Sequence, residues 1–280
     1  MEIGKNIYYY RKQKHMTQEQ LADQTDVSFQ TVSAWERDEY APQVDKLVKI
    51  AEALDVSLDD LCNNHPEEPV PWNLKDQMFS IDHMYRFIRT YAQSNHAKNT
   101  AAALPYAKRM HEGQYRKGNG RVPYIYHPLV VACHALALGL NEDELIASCL
   151  LHDVCEDCKD DQGKRIRPED LPVDEAVQET VRLVTKPEKK YPGWEEEYYN
   201  RISDNRLATI VKVLDRCNNI SMMATGFSKN KMKEYIVETE KYIMPLVDIL
   251  KTRYEDTCYN AAFLIKYQML SNMENLKRLL

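Results

Sequence analysis

Apolar residues recur three and four positions apart over most of this chain, the spacing that gathers them on one face of an α-helix. Glu142–Cys155, Arg206–Asn218 and Met232–Leu250 show the pattern clearly, and Leu129–Leu140 is almost continuously apolar. Nearer the start, Leu47, Ile50, Ala51 and Leu54 make a further stripe. Polar residues mark where helices begin. Thr17-Gln18-Glu19-Gln20 reads as a capping box, a hydroxyl followed three residues later by Gln, immediately before Leu21 and Ala22. Asp26-Val27-Ser28 makes a short turn, and the Ser28 hydroxyl can cap a helix from Phe29 to Arg37. Two short helices joined by such a turn form a helix-turn-helix. The segment Asn63–Pro71 carries three prolines and two acids, and proline neither donates a backbone hydrogen bond nor tolerates helix in the residue before it. The pattern therefore predicts an all-α chain in three parts: a helix-turn-helix bundle over 1–62, a linker over 63–78, and a larger helical unit over 79–280. Loops are expected at Lys159–Pro172 and Lys186–Trp194, rich in charge, proline and glycine.

Composition agrees with two domains. The 280 residues exceed the roughly 100–200 of one domain, 44% are apolar, and only 8 are Gly and 12 Pro. The longest apolar run is about a dozen residues against the ~20 a membrane span needs. The first fifteen residues lack the apolar core of a secretory signal, so a cytoplasmic protein without membrane contact is expected. Seven cysteines, an odd number scattered among apolar residues, fit reduced thiols. Cys155 and Cys158 have zinc-like spacing but no second pair, and read as incidental. The net charge is −6, and residues 1–62 hold seven Lys and Arg against twelve Asp and Glu, a local −5. Since phosphate neutralisation supplies most non-specific DNA affinity, docking or dimerisation stays open beside DNA binding for this module.

Candidate chemistry lies between His127 and Asn219. His152-Asp153 closes an apolar helical run, and neighbours on a helix point about 100° apart, so both can approach one cation. One turn on, Glu156 stacks above His152 and Asp157 above Asp153, so two further carboxylates overhang the same face. Tyr124-Ile125-Tyr126-His127-Pro128 sets a histidine at a helix start, and Val211-Lys212-Val213-Leu214-Asp215-Arg216 closes another apolar run with an acid. Two histidines and two aspartates suit Mn²⁺, Fe²⁺, Zn²⁺ or Mg²⁺. His134 sits on an apolar helix and reads as a core residue, and His83, His96 and His111 show no ligand spacing.

Two resemblances sharpen these expectations. Met16–Ala22, Val27-Ser28, Thr31–Arg37, Pro42 and Leu47–Leu54 resemble the Cro/repressor-type (XRE) DNA-binding domain over about the first 60 residues. That resemblance implies a second helix in the major groove with Ser28, Gln30, Thr31 and Ser33 facing DNA, an Arg11–Glu36 pair, and a homodimer on paired half-sites. His111–Lys117, Pro123–Pro128, Leu150–Asp157, Leu183–Lys186 and Val211–Asn219 resemble the HD hydrolase domain of the RelA/SpoT family and its small stand-alone relatives, over roughly residues 98–250. That family hydrolyses (p)ppGpp alarmones with Mn²⁺. Carried over, the resemblance implies His127, His152, Asp153 and Asp215 as metal ligands and Glu156 and Asp157 as the catalytic acids. It also implies Arg116 and Lys117 on the nucleotide, Lys212 and Arg216 at phosphates, and Asn219 at the ribose. Asn218 stands where the family commonly has His, and the loop after Arg116 is longer, so base specificity is the less secure inheritance. About 30 residues follow the last long helix of the resembling unit, too few for the family's synthetase domain, and hydrolysis alone is expected. Small relatives of this kind can neutralise a toxic alarmone synthetase, which suggests an antitoxin or phage-borne setting. Other HD nucleotide phosphohydrolases, or a regulator sensing a nucleotide, are the alternatives. Lys186, Lys189 and Lys190 read equally as a phosphate lid or a solvated loop.

Overall fold

The structure, a computed structural model, describes residues 3–14, 16–62, 76–116, 122–160, 162–188, 190–225 and 227–280. Lys117, Lys189 and most of the expected linker lie outside the described residues. Helices account for nearly all regular structure, with no β-strand among the described residues, and none is long and apolar enough to cross a membrane. The chain divides into two compact units, residues 1–70 and 71–280.

The smaller unit has helices Ile3–Gln13, Gln18–Thr25, Phe29–Glu36, Val44–Leu54 and Leu58–Cys62. Ile7, Leu21, Val32, Trp35, Ile50, Leu54 and Leu61 form its core. The capping box is complete: the Thr17 hydroxyl accepts from the Gln20 amide, and the Gln20 side chain accepts from the Thr17 amide. Ser28 caps Phe29–Glu36 through the Thr31 amide. Arg11, only 3% exposed, is held by Glu36 at 2.5 and 2.9 Å and by the Met16 carbonyl, tying the first helix to the third. Gly4 lets that crossing happen, because a Cβ there would stand 1.9 Å from the Trp35 carbonyl oxygen.

In the larger unit Asp143–Leu151 is the inner helix, its seven residues from Leu145 onward all buried. It packs against Lys98–Met110, Tyr126–Ala137, Glu175–Val184 and Arg206–Met222. Asp143 also caps its neighbour, its carboxylate accepting from the Asn99 and Thr100 amides at 2.8 and 2.7 Å. Arg206–Met222 crosses the core with twelve of its 17 residues buried. The expected Met232–Leu250 helix is three consecutive pieces, Lys229–Glu238, a π-turn Thr239–Ile243, and Met244–Thr252. Pro245 accounts for this: it has no amide to bond four residues back, and the Met244 amide bonds Thr239 instead. The Lys159–Pro172 loop is less solvated than its charge suggests, since Ile166 and Leu171 fold back into the core. All seven cysteines are free thiols, with Cys149, Cys155, Cys158, Cys217 and Cys258 buried. Burial pushes Cys155 up to about 12 and Cys158 to about 11, the range of inert thiols.

Candidate metal centre and adjoining clefts

Three helix ends and one helix middle bring the candidate ligands together. His127 lies in the first turn of Tyr126–Ala137, which starts two residues earlier than its proline suggested; Pro128 still sits among the first four amides, which need no helical acceptor. His152 and Asp153 follow the end of Asp143–Leu151, and Asp215 projects from Arg206–Met222. The two Nε2 atoms are 3.2 Å apart. His127 Nε2 is 3.2 Å from Asp215 Oδ1 and 3.6 Å from Asp153 Oδ2. His152 Nε2 is 3.2 Å from Asp153 Oδ2 and 3.8 Å from Asp215 Oδ1. Ligands about 2.1 Å from a tetrahedral cation stand about 3.4 Å from one another. His127, His152 and Asp215, whose ligand atoms all lie within 4.8 Å of one another, can hold one ion, and Asp153 lies beside the two histidines.

Hydrogen bonds fix which nitrogens face inward. His152 Nδ1–H donates to the Cys149 carbonyl at 2.8 Å, and His127 Nδ1–H to Asn218 Oδ1 at 2.5 Å. When neutral, both imidazoles would turn Nε2 lone pairs toward an oxygen of Asp215, with Asp153 alongside, a donor set suited to a divalent cation. The carboxylates also favour a proton on His152, for which a cation would compete. Burial would depress His152, yet Asp153 and Asp215 reverse it and raise its pKa to about 9. Burial, followed by the nearby Arg116 charge, lowers His127. Burial opposes ionisation of Asp153 and Asp215, but His152 and Lys212 respectively outweigh it and both stay well below the carboxylate range.

A cavity of about 240 Å³ opens over this cluster, lined by Arg116, Asp157, Glu156, Lys186, Lys212 and Asn219 among others. One wall is acidic. The helix breaks at His152-Asp153 and restarts as Val154–Asp157, so Glu156 and Asp157 are not stacked above the ligands on a continuous helix as expected. Instead Glu156 Oε1 accepts from the Lys186 amide at 2.7 Å, and the Tyr124 hydroxyl lies 2.8 Å from Asp153 Oδ2 and 2.9 Å from Asp157 Oδ2. The other wall is basic. Lys212 Nζ meets Asp215 Oδ2 at 3.0 Å, Asn219 donates to Asp215 Oδ1, and Arg116 donates to Asn219 Oδ1 at 2.8 Å. Lys186 stands in this wall, its pKa lowered first by Lys212 and then by burial. A second, larger cleft of about 430 Å³ adjoins, lined by Gln114, Tyr115, Arg116, Tyr124, Asp157, Asn219 and Phe227.

Arg216 corrects one expectation. It lies one position past Asp215, hence about 100° around the helix, and does not line the cavity. It is 1% exposed, with its guanidinium donating to Glu238 at 2.7 Å and stacked over the Tyr235 ring at 3.8 Å. Tyr124, Asn218 and the stacked His111 (4.8 Å from the Tyr124 ring) are site residues that spacing alone did not single out. In the smaller unit, Ser28 and Gln30 are exposed on the third helix, while Thr31 and Ser33 are half-buried and bonded to Ser28 and Arg37.

Residues 7–61 match the helix-turn-helix family model. A 62-residue stretch, 22% of the chain, is 39% identical to the cryptic phage CTXphi transcriptional repressor RstR of Vibrio cholerae, covering 55% of it. A guanosine-3′,5′-bis(diphosphate) 3′-pyrophosphohydrolase of Aquifex aeolicus is 30% identical over 187 residues, 63% of this chain and 26% of the relative. The bifunctional (p)ppGpp synthase/hydrolase SpoT of Escherichia coli is 25% identical over 206 residues, 70% of this chain and 29% of the relative. A helix-turn-helix domain is joined here to a unit homologous to (p)ppGpp 3′-pyrophosphohydrolases. The chain spans between a quarter and a third of the length of those pyrophosphohydrolases.

Proposed function

We propose that the larger unit is an HD-type, metal-dependent hydrolase of a nucleotide 3′-pyrophosphate, with (p)ppGpp as substrate and GDP or GTP plus pyrophosphate as products. The observation that supports this reading is the convergence of His127 Nε2, His152 Nε2 and an Asp215 oxygen, with Asp153 beside them, beneath a cavity with one acidic and one basic wall. His127, His152, Asp153 and Asp215 would hold the cation, Mn²⁺ or a similar divalent ion. When bound, such an ion supplies a water acidified toward neutral pH and positive charge for phosphoryl oxygens. Glu156 and Asp157 orient the attacking water and take up its proton, a role typically worth about 10²–10⁴-fold. Lys186, Lys212 and Arg116 offset the charge that builds on the phosphates. Asn219, between Arg116 and Asp215, would meet a ribose hydroxyl. The adjoining cleft, with Tyr115 and Phe227, has room and rings for a nucleobase. Water adds to the phosphorus on O3′, the P–O3′ bond breaks, and a proton passes to the departing 3′ oxygen.

The smaller unit, in this reading, presents Phe29–Glu36 to DNA through Ser28, Gln30, Thr31 and Ser33, as its helix-turn-helix match supports. Pure protein with Mn²⁺ and a nucleotide panel tests the hydrolase. Pyrophosphate release from ppGpp is expected, lost in Asp153→Ala and reduced at least about a hundredfold in Glu156→Ala. Turnover of ordinary nucleoside monophosphates alone would replace the alarmone by another nucleotide, and a fully metallated protein inert toward every nucleotide would make the unit a sensor.

A further inference from the structure

The 25-residue helix Glu255–Leu279, about 37 Å long, buries one face and leaves the other apolar and open. Cys258, Ala261, Ala262, Ile265, Met269, Met273 and Leu276 face the core, toward Arg206–Met222 and Met244–Thr252. On the outer side Phe263 is 57% exposed, Leu264 50%, Tyr267 70% and Leu270 43%. Apolar residues of this size grouped on one exposed helix face mark an interaction surface. Their spacing continues at both ends in polar residues, so that Asp256, Asn260, Phe263, Tyr267, Leu270, Glu274 and Arg278 follow one another three or four apart, the seam of a helix pair.

We infer that this stripe is the seam of a symmetric dimer, in which the same helix of a second copy lies antiparallel across it on a two-fold axis at Tyr267. The seam is complementary to its own reverse. Around Tyr267, Asp256 meets the second copy's Arg278 and Asn260 meets Glu274; nearer the axis Leu264, flanking the stripe, meets Leu270, and Phe263 lies opposite Ser271. Both ends thus pair opposite charges, while the centre is apolar except for Ser271. Neither Asp256 nor Arg278 forms an ion pair within the chain among the described residues. A parallel pair would instead set Asp256 against Asp256 and Arg278 against Arg278, which repels at both ends. Isologous pairing about a two-fold needs only one self-complementary surface, and this helix carries one.

Sedimentation of the full-length chain over a micromolar range tests the inference, the monomer being 32.7 kDa. A concentration-dependent species of twice that mass is expected. Tyr267→Glu sets two carboxylates against each other on the axis and weakens dimerisation by at least about a hundredfold. Asp256→Arg and Arg278→Asp each weaken it by about tenfold, and the double reversal returns it to within about threefold of wild type. Tyr267→Cys forms a disulfide-linked dimer on mild oxidation. A chain that stays monomeric up to about 100 µM, a dimer indifferent to Tyr267→Glu, or single reversals that the double does not rescue would each overturn the inference. Cross-linking of residue 267 to the smaller unit of its own chain would assign the face to an intramolecular cover instead.

Discussion

Replacing Glu238 by Gln isolates what Arg216 does. In the native chain the Arg216 guanidinium is buried and, among the described residues, has one carboxylate partner, Glu238, at 2.7 Å. Burial works against the Glu238 charge, but Arg216 outweighs it, with help from the Tyr199 hydroxyl, and brings the carboxyl from 4.5 down to about 2. A displacement of that size corresponds to about 3 kcal/mol of folding free energy at neutral pH. Removing one partner of a buried ion pair costs about 3–5 kcal/mol by a separate line of experience, so the two magnitudes agree. Glu238→Gln keeps the shape and loses only the charge, and the larger unit should lose about 3 kcal/mol, or about 6–12 °C in Tm. The sign with pH follows from a folded carboxyl that titrates below its unfolded value. Its contribution is complete above about pH 4.5 and vanishes as pH falls toward 2. Urea titrations of wild type and variant at pH 7 and near pH 3 should therefore differ widely at the first and less at the second. A loss under 1 kcal/mol at pH 7, or a gap that does not narrow in acid, would refute the assignment of Arg216 to the core.

Three further outcomes are expected. Tyr124→Phe removes one hydroxyl proton shared between Asp153 and Asp157, worth about 1.5–3 kcal/mol to a charged acceptor, so ppGpp turnover should drop about 10- to 100-fold while calorimetric Mn²⁺ affinity falls less. Gly4→Ala drives a methyl into the Trp35 carbonyl and should lower the melting point of the smaller unit, at a cost of at least about 2 kcal/mol, without altering pyrophosphate release by the larger one. Dialysis against a chelator should abolish turnover, and Mn²⁺ titration should restore it with one ion per chain; recovery by Asp215→Asn at the same ion concentration would contradict the ligand set.

The helical fold was legible because helix spacing and capping are local. Thr17–Gln20 and Ser28 carry their helix starts in the side chains that make them. Candidate ligands were legible as residue types in order, but the contacts that set them are not local. Asn218 reaches His127 across 91 positions and Tyr124 reaches Asp153 across 29, and neither partner is implied by any spacing. The same holds for Glu156, whose amide partner belongs to a loop 30 residues away. A rigid helical wheel placed it over His152, and the break at Asp153 moved it. Arg216 was misread for a related reason. A basic residue next to a ligand looks like a phosphate contact in one dimension, whereas a 100° turn and the distant Glu238 commit it to the core.

The five buried thiols of the larger unit give it an internal clock of opening. Cys149 and Cys217 lie on the two central helices, Cys155 and Cys158 beside the acidic wall, and Cys258 under the last helix. Each is shielded while the fold is closed, so an alkylating reagent can reach it only during excursions that expose that stretch of backbone. Labelling rates read by mass spectrometry, cysteine by cysteine, would rank local against global openings in the native protein without any introduced probe.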